Sequence, residues 1–193
     1  MLLLRVEFLY KNMEIVKTKI ADLYIIKPKV FEDHRGYFFE SYNKQEFIKM
    51  GIDKNFVQDN ESMSDKGVLR GLHFQKPPFD QGKLVRVMQG AVLDVAVDIR
   101  KSSPTYGEWV AVELTQENKW MYWIPPGFAH GFVSLKDNTV FFYKCTNIYD
   151  KESEGSIFWD DPTLNIDWKI ENPVLTDKDK MAPLFKAFES PFN

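Results

Sequence analysis

Apolar and polar residues alternate through the middle of this chain. Over residues 91–99 one face reads Ala91, Leu93, Val95, Val97 and Ile99, and the other reads Val92, Asp94, Ala96 and Asp98. Period two of this length predicts a strand with one face in the core. Residues 83–89 form another β-rich run, and Gly90 marks a bend or bulge between the two. Residues 108–114 alternate again, with Val110, Val112 and Leu114 facing together. Residues 119–124 and 139–146 read as aromatic-rich strands. Turn signals separate these runs: Lys101-Ser102-Ser103-Pro104, Gln116-Glu117-Asn118, Pro125-Pro126-Gly127 and Lys136-Asp137-Asn138. One helix is expected over residues 43–50, with Asn43 as N-cap, Glu46 three residues on as in a capping box, and Gly51 at its end. The proline-punctuated last thirty residues suggest short helices packed on the sheets. Many short strands with turns between them imply a β-sandwich or barrel in a single domain over 1–193.

Composition narrows the function classes. The net charge is −3 and no long single-sign run is present, which argues against nucleic acid as a partner. Cys145 is the one cysteine, so no disulfide can form within the chain and a reducing cytoplasm is the expected compartment. No apolar run reaches the roughly 18 residues of a membrane span, so no membrane partner is expected. The start, Met1 to Tyr10, resembles a signal peptide only faintly, because Arg5 and Glu7 interrupt its apolar core. Residues 1–12 read as a possible N-terminal extension before Met13.

The chemistry concentrates around three histidines, His34, His73 and His130. Gly67-Val68-Leu69-Arg70-Gly71-Leu72-His73-Phe74-Gln75 is followed by Gln81-Gly82-Lys83-Leu84, so His73 lies between an arginine and a lysine. A neutral imidazole accepts a proton near pH 7, and two cations beside it can hold an anion or stabilise a developing oxyanion. Pro125-Pro126-Gly127-Phe128-Ala129-His130 resembles the second motif of the cupin superfamily, whose fold is a double-stranded β-helix or jelly-roll barrel. That resemblance implies an all-β cupin-type barrel with a few short peripheral helices. Metal-binding cupins carry His-x-His and a glutamate on the first motif. Here Gln75 follows His73, and Lys83 lies near the glutamate's place. Two histidines without a carboxylate partner fall short of three or four ligands, so acid–base chemistry without metal is expected.

Seven segments in one order carry a more specific resemblance. They are Arg35-Gly36-Tyr37-Phe38-Phe39-Glu40, Val57-Gln58-Asp59-Asn60, Arg70-Gly71-Leu72-His73, Gln81-Gly82-Lys83-Leu84, Asp94-Val95-Ala96-Val97-Asp98-Ile99-Arg100, Gly127-Phe128-Ala129-His130-Gly131-Phe132 and Tyr143-Lys144-Cys145-Thr146. The set resembles the dTDP-4-dehydrorhamnose 3,5-epimerase family of deoxysugar biosynthesis from about residue 20 to 183. The resemblance implies epimerisation at C3 and C5 of dTDP-4-dehydro-6-deoxy-D-glucose, beside its C4 ketone, with no cofactor. It implies His73 as base, Asp179 as the carboxylate behind it, Tyr143 as acid and Lys83 at the enolate oxygen. It implies that Gln58, Asn60, Arg70, His130 and Glu154 touch the nucleotide-sugar. Arg35 and Glu40 match residues that reach a neighbouring subunit's substrate, which implies a homodimer. Asp177 competes with Asp179, and Glu152 with Glu154. Tyr143, alternating with Phe141 and Cys145, also fits a core aromatic. A single-carbon epimerase or ketoisomerase on a related nucleotide-sugar is the alternative. A metal-dependent oxygenase and a non-catalytic sugar-binding cupin are the competing classes.

Overall fold

A computed structural model describes residues 7–10 and 12–193. The signal-like start and the proposed extension fall largely outside these residues. In order, the strands are β1 (Glu7–Tyr10), β2 (Met13–Lys17), β3 (Tyr24–Pro28), β4 (Phe31–Asp33) and β5 (Gly36–Phe38), followed by helix α1 (Lys44–Lys49). Then come β6 (Gln58–Ser64), β7 (Leu69–Gln75), β8 (Lys83–Gln89), β9 (Ala91–Asp98), β10 (Trp109–Thr115), β11 (Met121–Ile124), β12 (Phe128–Ser134), β13 (Thr139–Cys145) and β14 (Glu154–Ser156). The chain closes with helix α2 (Asp177–Lys180) and a 3₁₀ turn at Phe185–Ala187.

A seven-stranded sheet runs β1-β2-β3-β11-β8-β13-β6, a five-stranded sheet runs β10-β9-β12-β7-β14, and β4-β5 form a separate hairpin. The two large sheets enclose one apolar cluster, with Val85, Val87 and Phe141 from the first meeting Val92, Ala96 and Phe132 from the second. This is the expected cupin-type jelly roll. Among the described residues no helix is long and apolar enough to cross a membrane.

The alternation over 91–99 sorts side chains as expected, but both faces of β9 are buried. Val95, Val97 and Ile99 pack outward against Leu164, Ile166 and Trp168 of the C-terminal segment. Val92 and Ala96 point into the barrel. Asp94 and Asp98, on the same side, are fully buried. The C-terminal segment is the cause: it covers a sheet face that a lone sandwich leaves to solvent.

Helix α1 begins where the sequence placed it. The Asn43 side chain accepts hydrogen bonds from the Gln45 and Glu46 backbone N–H groups, satisfying donors that the first turn leaves free. Glu46 turns away from the reciprocal capping bond and pairs with Lys49 at 2.8 Å. Phe47, 1% exposed, anchors the helix on the outer face of the seven-stranded sheet. The strand expected over 119–124 is shorter, because Lys119 sits at φ +57 in the turn after Asn118.

Candidate active site

Two glycines set the local register. In the β7–β12 pairing His130 lies opposite His73 and Phe132 opposite Arg70, with a bulge between. A Cβ on Gly71 would sit 2.5 Å from the Gly131 Cα, and one on Gly131 would sit 2.7 Å from the Arg70 carbonyl oxygen. Only bare backbones approach this closely, and Gly71 also holds φ +138. The bulge re-aims the strand and puts His73 and His130 side by side on the barrel's inner face.

Behind His73 stands Asp179. Its Oδ1 lies 2.5 Å from His73 Nε2, and its Oδ2 accepts a 2.8 Å hydrogen bond from the Thr176 hydroxyl. Thr176 is also the N-cap of α2 and accepts from the Asp179 N–H. The carboxylate is 2% exposed while the imidazole is 29% exposed. Burial pushes the Asp179 carboxyl upward, but the His73 and Thr176 hydrogen bonds and the Lys178 charge hold it below the usual carboxylate range. With Nε2–H donated to an ionised Asp179, the His73 lone pair lies on Nδ1. Asp177 is exposed and pairs with Lys180 at 3.3 Å, so it is not the carboxylate behind His73.

The opposite wall comes from the seven-stranded sheet. Lys83 on β8 and Tyr143 on β13 face inward, with the Lys83 Nζ 5.9 Å from the Tyr143 ring centroid. Burial depresses the Lys83 ammonium, and the Cys145, Asp94 and Glu154 side chains oppose that shift. Burial raises the Tyr143 phenol and Cys145 adds to the rise, while Arg70 pulls it down. The phenol therefore keeps its proton at neutral pH. His73, Lys83 and Tyr143 line two adjoining cavities of about 320 and 280 Å³.

His130 is buried, and its Nε2 lies 2.9 and 3.0 Å from the two Asp94 oxygens. Burial lowers the imidazole; Asp94 opposes this, and Lys83 and His73 reinforce it. The sequence reading assigned no carboxylate to His130, and Asp94 supplies one. Asp94 lies 36 positions from His130. Its signal was a charged residue on a strand face otherwise made of Val92, Ala96 and Asp98.

At the rim, Gln58, Asn60 and Glu154 line the larger cavity, while Arg70 lines the smaller one with His130. The Gln58 amide donates to Asn60 Oδ1 at 3.0 Å, and the Asn60 amide donates to Cys145 Sγ at 3.6 Å. Glu154 accepts from the Tyr149 hydroxyl at 3.2 Å and forms an ion pair with Lys178, whereas Glu152 is exposed. Arg35 and Glu40 line neither cavity. Arg35 sits on the β4–β5 hairpin, paired to Asp33 at 2.6 Å. Glu40 Oε1 is buried without a hydrogen-bond partner.

A cupin-type barrel that sets a carboxylate-backed imidazole against a half-buried lysine and a protonated phenol belongs to the class of acid–base enzymes built on this fold. A family model described as dTDP-4-dehydrorhamnose 3,5-epimerase matches residues 17–187. The chain belongs to that family. It is 56% identical over 168 residues to the dTDP-4-dehydrorhamnose 3,5-epimerase of Shigella flexneri, covering 86% of this chain and 93% of that protein. The crystal structure of the Elizabethkingia anophelis NUHP1 enzyme of that name is similar at a TM-score of 0.87 and 53% identity, covering 91% of this chain and 97% of that one. A dTDP-6-deoxy-D-glucose-3,5-epimerase from Legionella pneumophila Philadelphia 1, in complex with dTDP-4-keto-L-rhamnose, is similar at 0.89 and 51%, covering 92% and 95%.

Proposed function

We propose that this protein converts dTDP-4-dehydro-6-deoxy-D-glucose to dTDP-4-dehydro-L-rhamnose by inverting C3 and C5. One observation carries the assignment of roles: His73 on the five-stranded sheet and Tyr143 on the seven-stranded sheet line the same cavity from facing walls. The C4 ketone acidifies the hydrogens on C3 and C5. His73 Nδ1 takes one of them, and the electron pair moves onto the C4 oxygen as an enolate. The Lys83 ammonium stabilises that oxygen, an electrostatic contribution that grows in a water-poor pocket. The Tyr143 hydroxyl then returns a proton to the opposite face of the same carbon. His73 loses its proton and Tyr143 regains one by exchange with solvent, and the cycle repeats at the second carbon. Every step balances with these side chains and solvent protons.

Gln58, Asn60, Arg70, His130 and Glu154 hold the nucleotide-sugar in this proposal, and Arg35 and Glu40 complete the site of a second copy. The exposed Tyr37 and Phe38 beside Arg35 support a homodimer, since apolar tips on a polar hairpin favour a covered position. Turnover in deuterated water tests the reaction. Deuterium at both C3 and C5 of the product is expected. Incorporation at one carbon alone would replace this reading with the single-carbon epimerase, and migration of the ketone from C4 to C3 would replace it with the ketoisomerase.

A further inference from the structure

Gln75 stands two residues from His73 on β7, on the same face, where metal-binding cupins carry a histidine. It is 6% exposed and directly opposite Glu154 in the β7–β14 register. Its side-chain amide donates to the Phe79 carbonyl at 2.6 Å and to the Ile148 carbonyl at 3.1 Å, and its oxygen accepts from the Asp150 N–H at 2.8 Å. Both donors and the acceptor are therefore in use, all on loop backbone. The Tyr149 N–H between these two grips donates to Gln58 Oε1 at 2.9 Å, and the Tyr149 hydroxyl donates to Glu154. One amide thus holds the peptides on both sides of Tyr149. Tyr149 in turn touches two rim residues of the larger cavity.

We propose that Gln75 is a positioning residue that clasps the 76–81 and 146–151 loops into the wall holding the nucleotide part of the substrate. The proposal rests on the dTDP-sugar reading above. Gln75 itself touches loop backbone, and its effect reaches the substrate through Gln58, Tyr149 and Glu154. A carboxylate cannot replace the amide, because it keeps the acceptor for the Asp150 N–H but sets lone pairs against two carbonyls. Those carbonyls would then be left unpaired in a confined site.

The test compares wild type with Gln75→Glu and Gln75→Ala. It reads dTDP affinity by calorimetry, kcat and KM on the dTDP-sugar, and hydrogen exchange of the Tyr149 and Asp150 amides without ligand. Gln75→Glu is expected to weaken dTDP binding and raise KM by about tenfold or more. Its kcat should stay within about threefold of wild type, because the His73–Asp179 pair is untouched, and exchange at Tyr149 should quicken. A variant that melts earlier yet binds dTDP as wild type does would overturn the proposal, as would a lower kcat at unchanged KM. Gln75→Glu decides the question should Gln75→Ala fail to fold. Wild type that ignores dTDP would defeat the functional reading instead, and unchanged amide protection in Gln75→Glu would still defeat the clasp.

Discussion

His73 Nε2 meets Asp179 Oδ1 at 2.5 Å although the two residues are 106 positions apart. The contact joins a barrel strand to a helix of four residues, Asp177–Lys180, whose N-cap Thr176 also bonds the same carboxylate. In the proposed mechanism the pair orients the ring and stabilises the imidazolium that forms on proton abstraction. Asp179→Asn keeps the shape and removes the charge. We expect kcat to fall by about 10²–10⁴-fold with KM little changed. His73→Ala should abolish turnover while circular dichroism shows the fold intact, and undiminished turnover in either variant would remove the pair from the mechanism.

Tyr143→Phe separates the two halves of the reaction. Proton removal needs only His73 and the enolate stabiliser, so the substrate's C3 and C5 hydrogens should still exchange with deuterated water. Net inversion should slow by about 10²–10⁴-fold. Loss of both exchange and inversion to the same degree would assign Tyr143 to proton removal.

Gly131→Ala tests the close approach of β7 and β12. The new Cβ would lie 2.7 Å from the Arg70 carbonyl oxygen and 3.0 Å from the Gly71 Cα, and backbone cannot swing aside. A cost of about 1–3 kcal/mol is expected from overpacking, read as a lower urea midpoint. Activity should fall with it, because the same bulge aims His73.

Acid should destabilise the fold in two stages. The His130 imidazole is held below its ordinary range, chiefly by burial. Its contribution is thus complete above the unfolded value near 6.5 and is lost as pH falls through the lower folded value. Asp179 is also depressed, so its contribution fades only at more acid pH, below the ordinary carboxylate value near 3.9. Urea midpoints measured from about pH 8 down to about pH 2 should decline in both stages, and His130→Gln should flatten the first. An unchanged slope in that variant would assign the decline to other groups.

Subunit exchange addresses the proposed homodimer. The chain mass is 22.7 kDa, and light scattering should return twice that value. Arg35→Ala and His73→Ala proteins should each be impaired, whereas a mixture should regain activity in heterodimers with one intact site. A monomer mass with no recovery on mixing would place Arg35 outside the site.

Much of the fold was legible in local signals: apolar–polar alternation at 91–99, although both of its faces are buried, β-rich composition at 83–89, and the Asn43 cap of the helix at 43–50. Strand β12 left no such trace, since all seven of its residues are buried and neither face needs to be polar. Strand β6 was hidden for the opposite reason. Its inward row is Gln58, Asn60, Ser62 and Ser64, of which the first three line the two cavities, and it gives no apolar stripe. The apolar pattern breaks at the candidate site, as it does in proteins whose side chains meet a ligand instead of a core.

By itself the sequence determined which residues could do chemistry and which way strand side chains point, because composition and period-two alternation are local properties. The glycines at 71 and 131 were also visible, but not that they face each other. Tertiary structure alone decided the pairing of carboxylates with imidazoles: Asp179 rather than Asp177 behind His73, and Asp94 beside His130. The reason is geometric. Those contacts depend on strand register across a bulge and on where a short helix docks, and a hydrogen bond tolerates errors of only a few tenths of an ångström.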